Sequence, residues 1–257
     1  MILTPDGYRY KAMSLGRVAR PFHYRWLLPR LCSTSNRRWQ AASYTTAVMF
    51  CALVGVYTGS WWAVALPAGC AGAIRVNIKN PVLVDLPAMT LALASAVCVQ
   101  QHLWLLAIAF ACIAGMTKET APVFAALYAW HPIGLVGLLP VAIRHLQRPG
   151  PDVLDTENRW ILEHPIRASW KYHKPLPAWA WVLPWGACLA GLGSPSWPLA
   201  ATLAVAYAQC VLATDTVRLY QWALPALAVA AVDTVPARWW PVLIAVHLTN
   251  PFRTDGF

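Results

Sequence analysis

Apolar runs of eleven to eighteen residues alternate along this chain with short polar punctuation of Gly, Pro, Asn or charge. The pattern predicts helices at about Ala41 to Tyr57, Trp61 to Ile74, Val82 to Val99, His102 to Gly115, Thr120 to Trp130 and Ile133 to Ile143. Four more are predicted at about Ala178 to Leu192, Ser196 to Ala213, Leu219 to Ala231 and Arg238 to Leu248. Several fall short of the roughly 20 residues that cross a bilayer straight. Some are therefore half-spans, or two make one broken helix, and eight to ten membrane helices are expected. Prolines inside the runs (Pro67, Pro87, Pro122, Pro140, Pro184, Pro225) are tolerated in lipid where neighbouring helices satisfy the freed backbone groups. The expected fold is all-α: a polytopic integral membrane bundle of short and kinked helices.

Two stretches break the apolar pattern and divide the chain. Residues 1–40 form a basic polar arm, 41–143 a first membrane helix group, 144–176 a polar loop, and 177–257 a second membrane helix group. Within the loop, Asp155 to Trp170 (DTENRWILEHPIRASW) carries Trp160, Ile161 and Ile166 as apolar anchors. It is expected to form a short amphipathic surface helix, broken near Pro165. Most of the tryptophans cluster near predicted span ends, the pattern of an interfacial aromatic belt.

Composition supports the membrane reading. The hydrophobic share is 58% and the mean hydropathy +0.47, where a soluble domain has roughly 45–50% apolar residues. Charge is concentrated in the arm, whose eight bases (Arg9, Lys11, Arg17, Arg20, Arg25, Arg30, Arg37, Arg38) face one acid, Asp6. These bases abut membrane spans and are not spread over a solvated face, so lipid is the expected partner and nucleic acid is not. The seven cysteines are dispersed without a CxxC pair, and imply neither a disulfide framework nor a zinc site. The histidines include no HxxxH or HExxH, and no metal or other cofactor is expected. P-loops and dinucleotide fingerprints are absent.

Taken as alternating crossings, the predicted spans put the arm, Arg75, Lys79, Lys118, Glu119, the 144–174 segment, Asp215 and Arg218 on one face. The positive-inside rule accounts for bases on a cytoplasmic face but not for the acids among them. An ionisable group at membrane depth costs at least roughly 2.5 kcal/mol unless it is paired or faces water. Asp85, Glu119 and Asp215 therefore call for partners. Asp215 stands at helical spacing from Arg218, and Lys118 has either its neighbour Glu119 or Asp85 across helices. The alternative is that these groups line a polar cavity on the charged face.

The arm from Asp6 to Pro29 (DGYRYKAMSLGRVARPFHYRWLLP) resembles the first extracytoplasmic loop of the GT-C superfamily, polytopic membrane glycosyltransferases that use a polyprenyl-phosphate-linked sugar. The likeness lies in Asp6-Gly7, Tyr10, Gly16, Pro21-Phe22, Tyr24-Arg25 and Leu28-Pro29. The acid in VDLP (Asp85) resembles the family's second-loop Asp. GMTKET, with Lys118 and Glu119, resembles its Gly-x-x-(Lys/Arg)-Glu span start, and TDTVRLYQWALP resembles a late helix. The family places a membrane helix before the first loop, whereas Met1 here leads almost directly into polar sequence. The chain is accordingly expected to be a truncated or minimal member.

The resemblance implies transfer of a sugar from a polyprenyl-phosphate carrier to an acceptor hydroxyl, in a bacterial-type plasma (inner) membrane. Asp6 would be the general base and Asp85 the acid that orients acceptor or base. Arg25, Lys118 and Arg218 would bind the lipid phosphate, with Asp215 beside Arg218 and Glu119 orienting Lys118. Tyr8, Tyr10 and His23 would line the sugar site. The competing expectation is a non-enzymatic polytopic membrane protein, either a small transporter-like bundle or an interaction protein whose arm binds lipid or a partner.

Overall fold

A computed structural model of the chain describes Tyr10, residues 25–147, Trp160, and residues 163–212 and 216–251. The described residues are all-α, with no strand among them. The principal helices are α1 (Leu27–Cys32), α2 (Asn36–Thr58), α3 (Asp85–Gln100), α4 (Trp104–Thr117), α5 (Ala121–Ala129), α6 (Leu138–Gln147), α7 (Pro165–His173), α8 (Trp197–Leu212), α9 (Leu224–Thr234) and α10 (Trp240–Leu248). By length and composition α2 can cross a membrane, and the bent pair Arg218–Thr234 and Ala237–Leu248 passes the same test when joined.

Two predicted spans are broken, each at a residue that explains the break. The run at 61–79 is not one helix but a 3-10 turn (Trp61–Ala65), a single α-turn (Leu66–Gly69), a π-helical turn (Ala71–Arg75) and another α-turn (Val76–Lys79). Pro67 cannot donate its share of the helical ladder, and Cys70 takes an extended conformation. The run from Ala178 is wound as 3-10 helix and turns sharply at Gly186, whose φ of +52° favours glycine.

The chain forms two compact units, the first within Met1–Phe50 and Asn77–Asp155 and the second within Cys51–Val76 and Thr156–Phe257. The predicted helix group 41–143 is thus divided, with residues 51–76 belonging to the second unit.

In the first unit α3 is the central element. It is apolar on every side, as a helix buried all round must be, and packs against α4 and α5. Small side chains allow close approach, with Ala92 and Ala96 on α3 and Ala107, Ala111 and Ala114 on α4 all fully buried. The Ser95 hydroxyl donates to the Ala107 carbonyl (2.8 Å), and the Thr90 hydroxyl to Leu86 (2.7 Å) and Thr46 (3.3 Å).

The second unit is built around aromatic side chains and α9. Tyr207 and Tyr220 stack at 5.2 Å, and Trp185 Nε1 donates to the Tyr207 hydroxyl. Gln221, fully buried, accepts from the Ala73 N–H (3.0 Å) and donates to the Pro184 carbonyl (3.4 Å), so it holds the π-helical turn in place. In α7 the anchor Ile166 and nearby Trp170 are exposed while Ala168 is buried; Ile161 lies outside the described residues.

Candidate functional site

The first unit gathers five predicted site residues, Tyr10, Arg25, Asp85, Lys118 and Glu119. Asp85 opens α3, where an acid is stabilised by the helix dipole, and the Asn77 side chain accepts from the Leu86 N–H in the same turn. Pro87 in that first turn removes an N–H that has no intrahelical partner anyway. Lys118 stands where α4 ends, its extended backbone (φ −153°, ψ 129°) stopping the helix and Pro122 helping to start the next. Gly115 fixes the approach of this junction, since a Cβ there would strike the Gly137 carbonyl oxygen.

Lys118 Nζ is ion-paired and hydrogen-bonded to Asp85 Oδ1, with both residues buried. Of the two partners open to Lys118 from sequence, the fold takes the one across helices. Glu119 accepts a two-bond fork from Arg25, Nη2 to Oε1 at 2.6 Å and Nε to Oε2 at 2.8 Å. Arg25 Nη1 also donates to the Tyr10 hydroxyl at 2.6 Å. Burial alone would raise the Glu119 carboxyl, but the Arg25 charge and hydrogen bonds, with the nearby Lys118 charge, hold it below the ordinary carboxylate value.

Tyr10 is 2% exposed and packs with Cys32, Trp39, Val82 and Val84, which lead directly into Asp85. From this packed position its hydroxyl steadies Arg25. Trp39 is likewise a core residue, its Nε1 donating to the Ser33 carbonyl (2.9 Å). Among the described residues, two cations and two carboxylates thus meet in one place. The Lys118–Asp85 pair is closed off, while Arg25 and Glu119 keep 15% and 25% of their side chains exposed.

Arg218 lies half-buried on the short helix Thr216–Tyr220 of the second unit. Asp6, Tyr8, His23 and Asp215 lie outside the described residues. One grouping has no signal in the sequence. Cys70, Cys188 and His247 are all buried, and their ligand atoms lie within 4.8 Å of one another. The separation of 118 residues between the cysteines matches no ligand motif.

No protein-family model, curated protein or solved structure matches this chain.

Proposed function

We propose that the chain is a GT-C-like integral membrane glycosyltransferase that moves a sugar from a polyprenyl-phosphate carrier to an acceptor hydroxyl. The observation that carries the reading is the meeting of three separate family-like motifs at one point in the first unit. Tyr10 and Arg25 come from the arm, Asp85 from VDLP, and Lys118 with Glu119 from GMTKET. Membrane integration is supported by α2, by the bent pair after Arg218 and by the shorter apolar helices. It is supported further by large apolar side chains turned outward, among them Val48, Leu105, Leu139 and Trp197, whose exposure water would penalise.

In this reading Asp6 takes the proton of the acceptor hydroxyl. The acceptor oxygen attacks the anomeric carbon, the bond to the phosphate oxygen breaks with inversion, and the phosphate leaves carrying the bonding electrons. In the same reading Arg25 binds that phosphate in exchange for Glu119, whose two carboxylate oxygens it forks in this structure. Lys118, held by its ion pair with Asp85, is the second cation of the site in this reading.

The pairing of the four charges favours a second reading, a non-enzymatic polytopic membrane protein in which the pairs only hold helices together. Membrane sidedness separates the two. Ser14→Cys is labelled in intact cells with a membrane-impermeant maleimide, the wild-type chain serving as the blank. The glycosyltransferase reading expects labelling from outside, where lipid-linked sugars are presented to this family. Labelling only after the membrane is broken would overturn it in favour of the second reading.

A further inference from the structure

We propose that Cys70, Cys188 and His247 form a binding site for one divalent transition-metal ion, with zinc the best fit. All three side chains are fully buried, and they come from three distant segments of the second unit.

The geometry is close to that of a bound state. The two sulfurs stand 4.0 Å apart, too far for a disulfide, whose sulfurs are about 2.05 Å apart. Two thiolates on one tetrahedral zinc, with bonds of about 2.3 Å, stand about 3.8 Å apart. The hydrogen bonds of the His247 ring fix its tautomer. The Leu66 carbonyl (2.7 Å) can only accept, so Nε2 carries the proton. Nδ1 then presents its lone pair, at present receiving the Ala187 N–H (3.1 Å). A ring N–H held by a backbone carbonyl is the usual outer partner of a metal-bound histidine. On binding, one neutral hydrogen bond at Nδ1 is exchanged for a metal–nitrogen bond.

Two glycines make room for this arrangement. A Cβ on Gly69 or Gly186 would overlap the imidazole, and Gly186 has the positive φ that other residues resist. Each stands within two residues of one of the cysteines. Asn250, just beyond α10, donates to the Leu183 carbonyl (2.8 Å) and so ties the segment of His247 to that of Cys188.

Charge selects the metal. An M²⁺ ion displaces one proton from each thiol, so two thiolates and a neutral imidazole give a site of zero net charge, as before binding. A monovalent ion would leave a negative charge in a fully buried site. Soft sulfur donors also disfavour magnesium and calcium. Three protein ligands leave one coordination position for a small oxygen ligand.

The test uses the full chain purified in detergent without added reductant. Elemental analysis should find one zinc per chain. Exchange with Co²⁺ should give a thiolate-to-cobalt charge-transfer band and the visible bands of tetrahedral cobalt. Both bands should be lost in Cys70→Ser and in Cys188→Ser and retained in Cys98→Ser. Background metal content, bands unchanged in the first two variants, or a Cys70–Cys188 disulfide by peptide mapping would overturn the proposal. Should a serine variant fail to accumulate, the wild-type chain decides. Its thermal midpoint should fall on chelation and return with one equivalent of zinc, and no shift in either direction would overturn the site.

Discussion

Arg25 and Glu119, 94 residues apart, are joined by a two-bond fork in which both guanidinium–carboxylate distances are 2.8 Å or less. This fork ties the arm to the junction between α4 and α5, and it is the partly open member of the charge cluster.

The fork makes stability depend on pH in a definite direction. Glu119 titrates below its unfolded value of about 4.5, so its contribution is complete above that value and is lost as pH falls through the lower, folded value. Thermal or denaturant unfolding of the wild-type chain should weaken across this acidic window. Glu119→Gln should be less stable at neutral pH by about 1–3 kcal/mol, the worth of hydrogen bonds to a charged partner, and flatter in acid. Equal pH profiles for the two proteins would show that the fork contributes nothing.

Lys118 and Asp85 should behave as a coupled unit. Removing either alone leaves a charge stranded among buried groups, and each single variant, Lys118→Met or Asp85→Asn, should lose about 3–5 kcal/mol. The double variant should be less destabilised than the sum of the singles, since neither charge is then left unpaired. Strict additivity in a double-mutant cycle would contradict the pairing.

Gly115→Ala tests how the Lys118 junction is held. The added methyl meets the backbone oxygen of Gly137, which cannot swing aside as a side chain end can. A loss of about 1–3 kcal/mol is expected from overpacking. Ala114→Gly, on the same helix, adds no atoms and serves as the comparison; an equal or smaller loss in Gly115→Ala would contradict the close contact.

These relationships were legible in the sequence to unequal degrees. The helix starts near Val82 and Ser196 were readable because long apolar runs are bounded by Asn-Pro and Ser-Pro, and α3 and α8 occupy them. Pro67 reads as tolerated inside one helix from Trp61 to Ile74, but the chain is broken there, and the π-helical turn that follows is held by Gln221, far along the chain. Asp85, Lys118 and Glu119 stood out as charges inside apolar sequence. The Lys118–Asp85 pair is one of two that the sequence leaves open, and the Arg25–Glu119 pair is not read from it at all, because neighbouring positions 118 and 119 point to different partners once α4 ends in an extended residue. Tyr10 takes a sugar-site role from the resemblance alone, and nothing in its polar neighbours foretells its packing with Val82 and Val84. The Cys70–Cys188–His247 group carries no periodic signal and is created only by the folding of three distant segments.

The central claim is that the first-unit site acts on a polyprenyl-phosphate sugar, and turnover tests it most directly. Release of polyprenyl phosphate from a panel of polyprenyl-phosphate monosaccharides is measured with the full chain in proteoliposomes, for the wild type, Asp6→Asn and Asp85→Asn. The account predicts release from at least one donor by the wild type, slowed about 100-fold or more in Asp6→Asn by loss of the general base. Asp85→Asn should also be slowed, through loss of the Lys118 pair. Undiminished release in Asp6→Asn, or no release from any donor by the wild type, would contradict it.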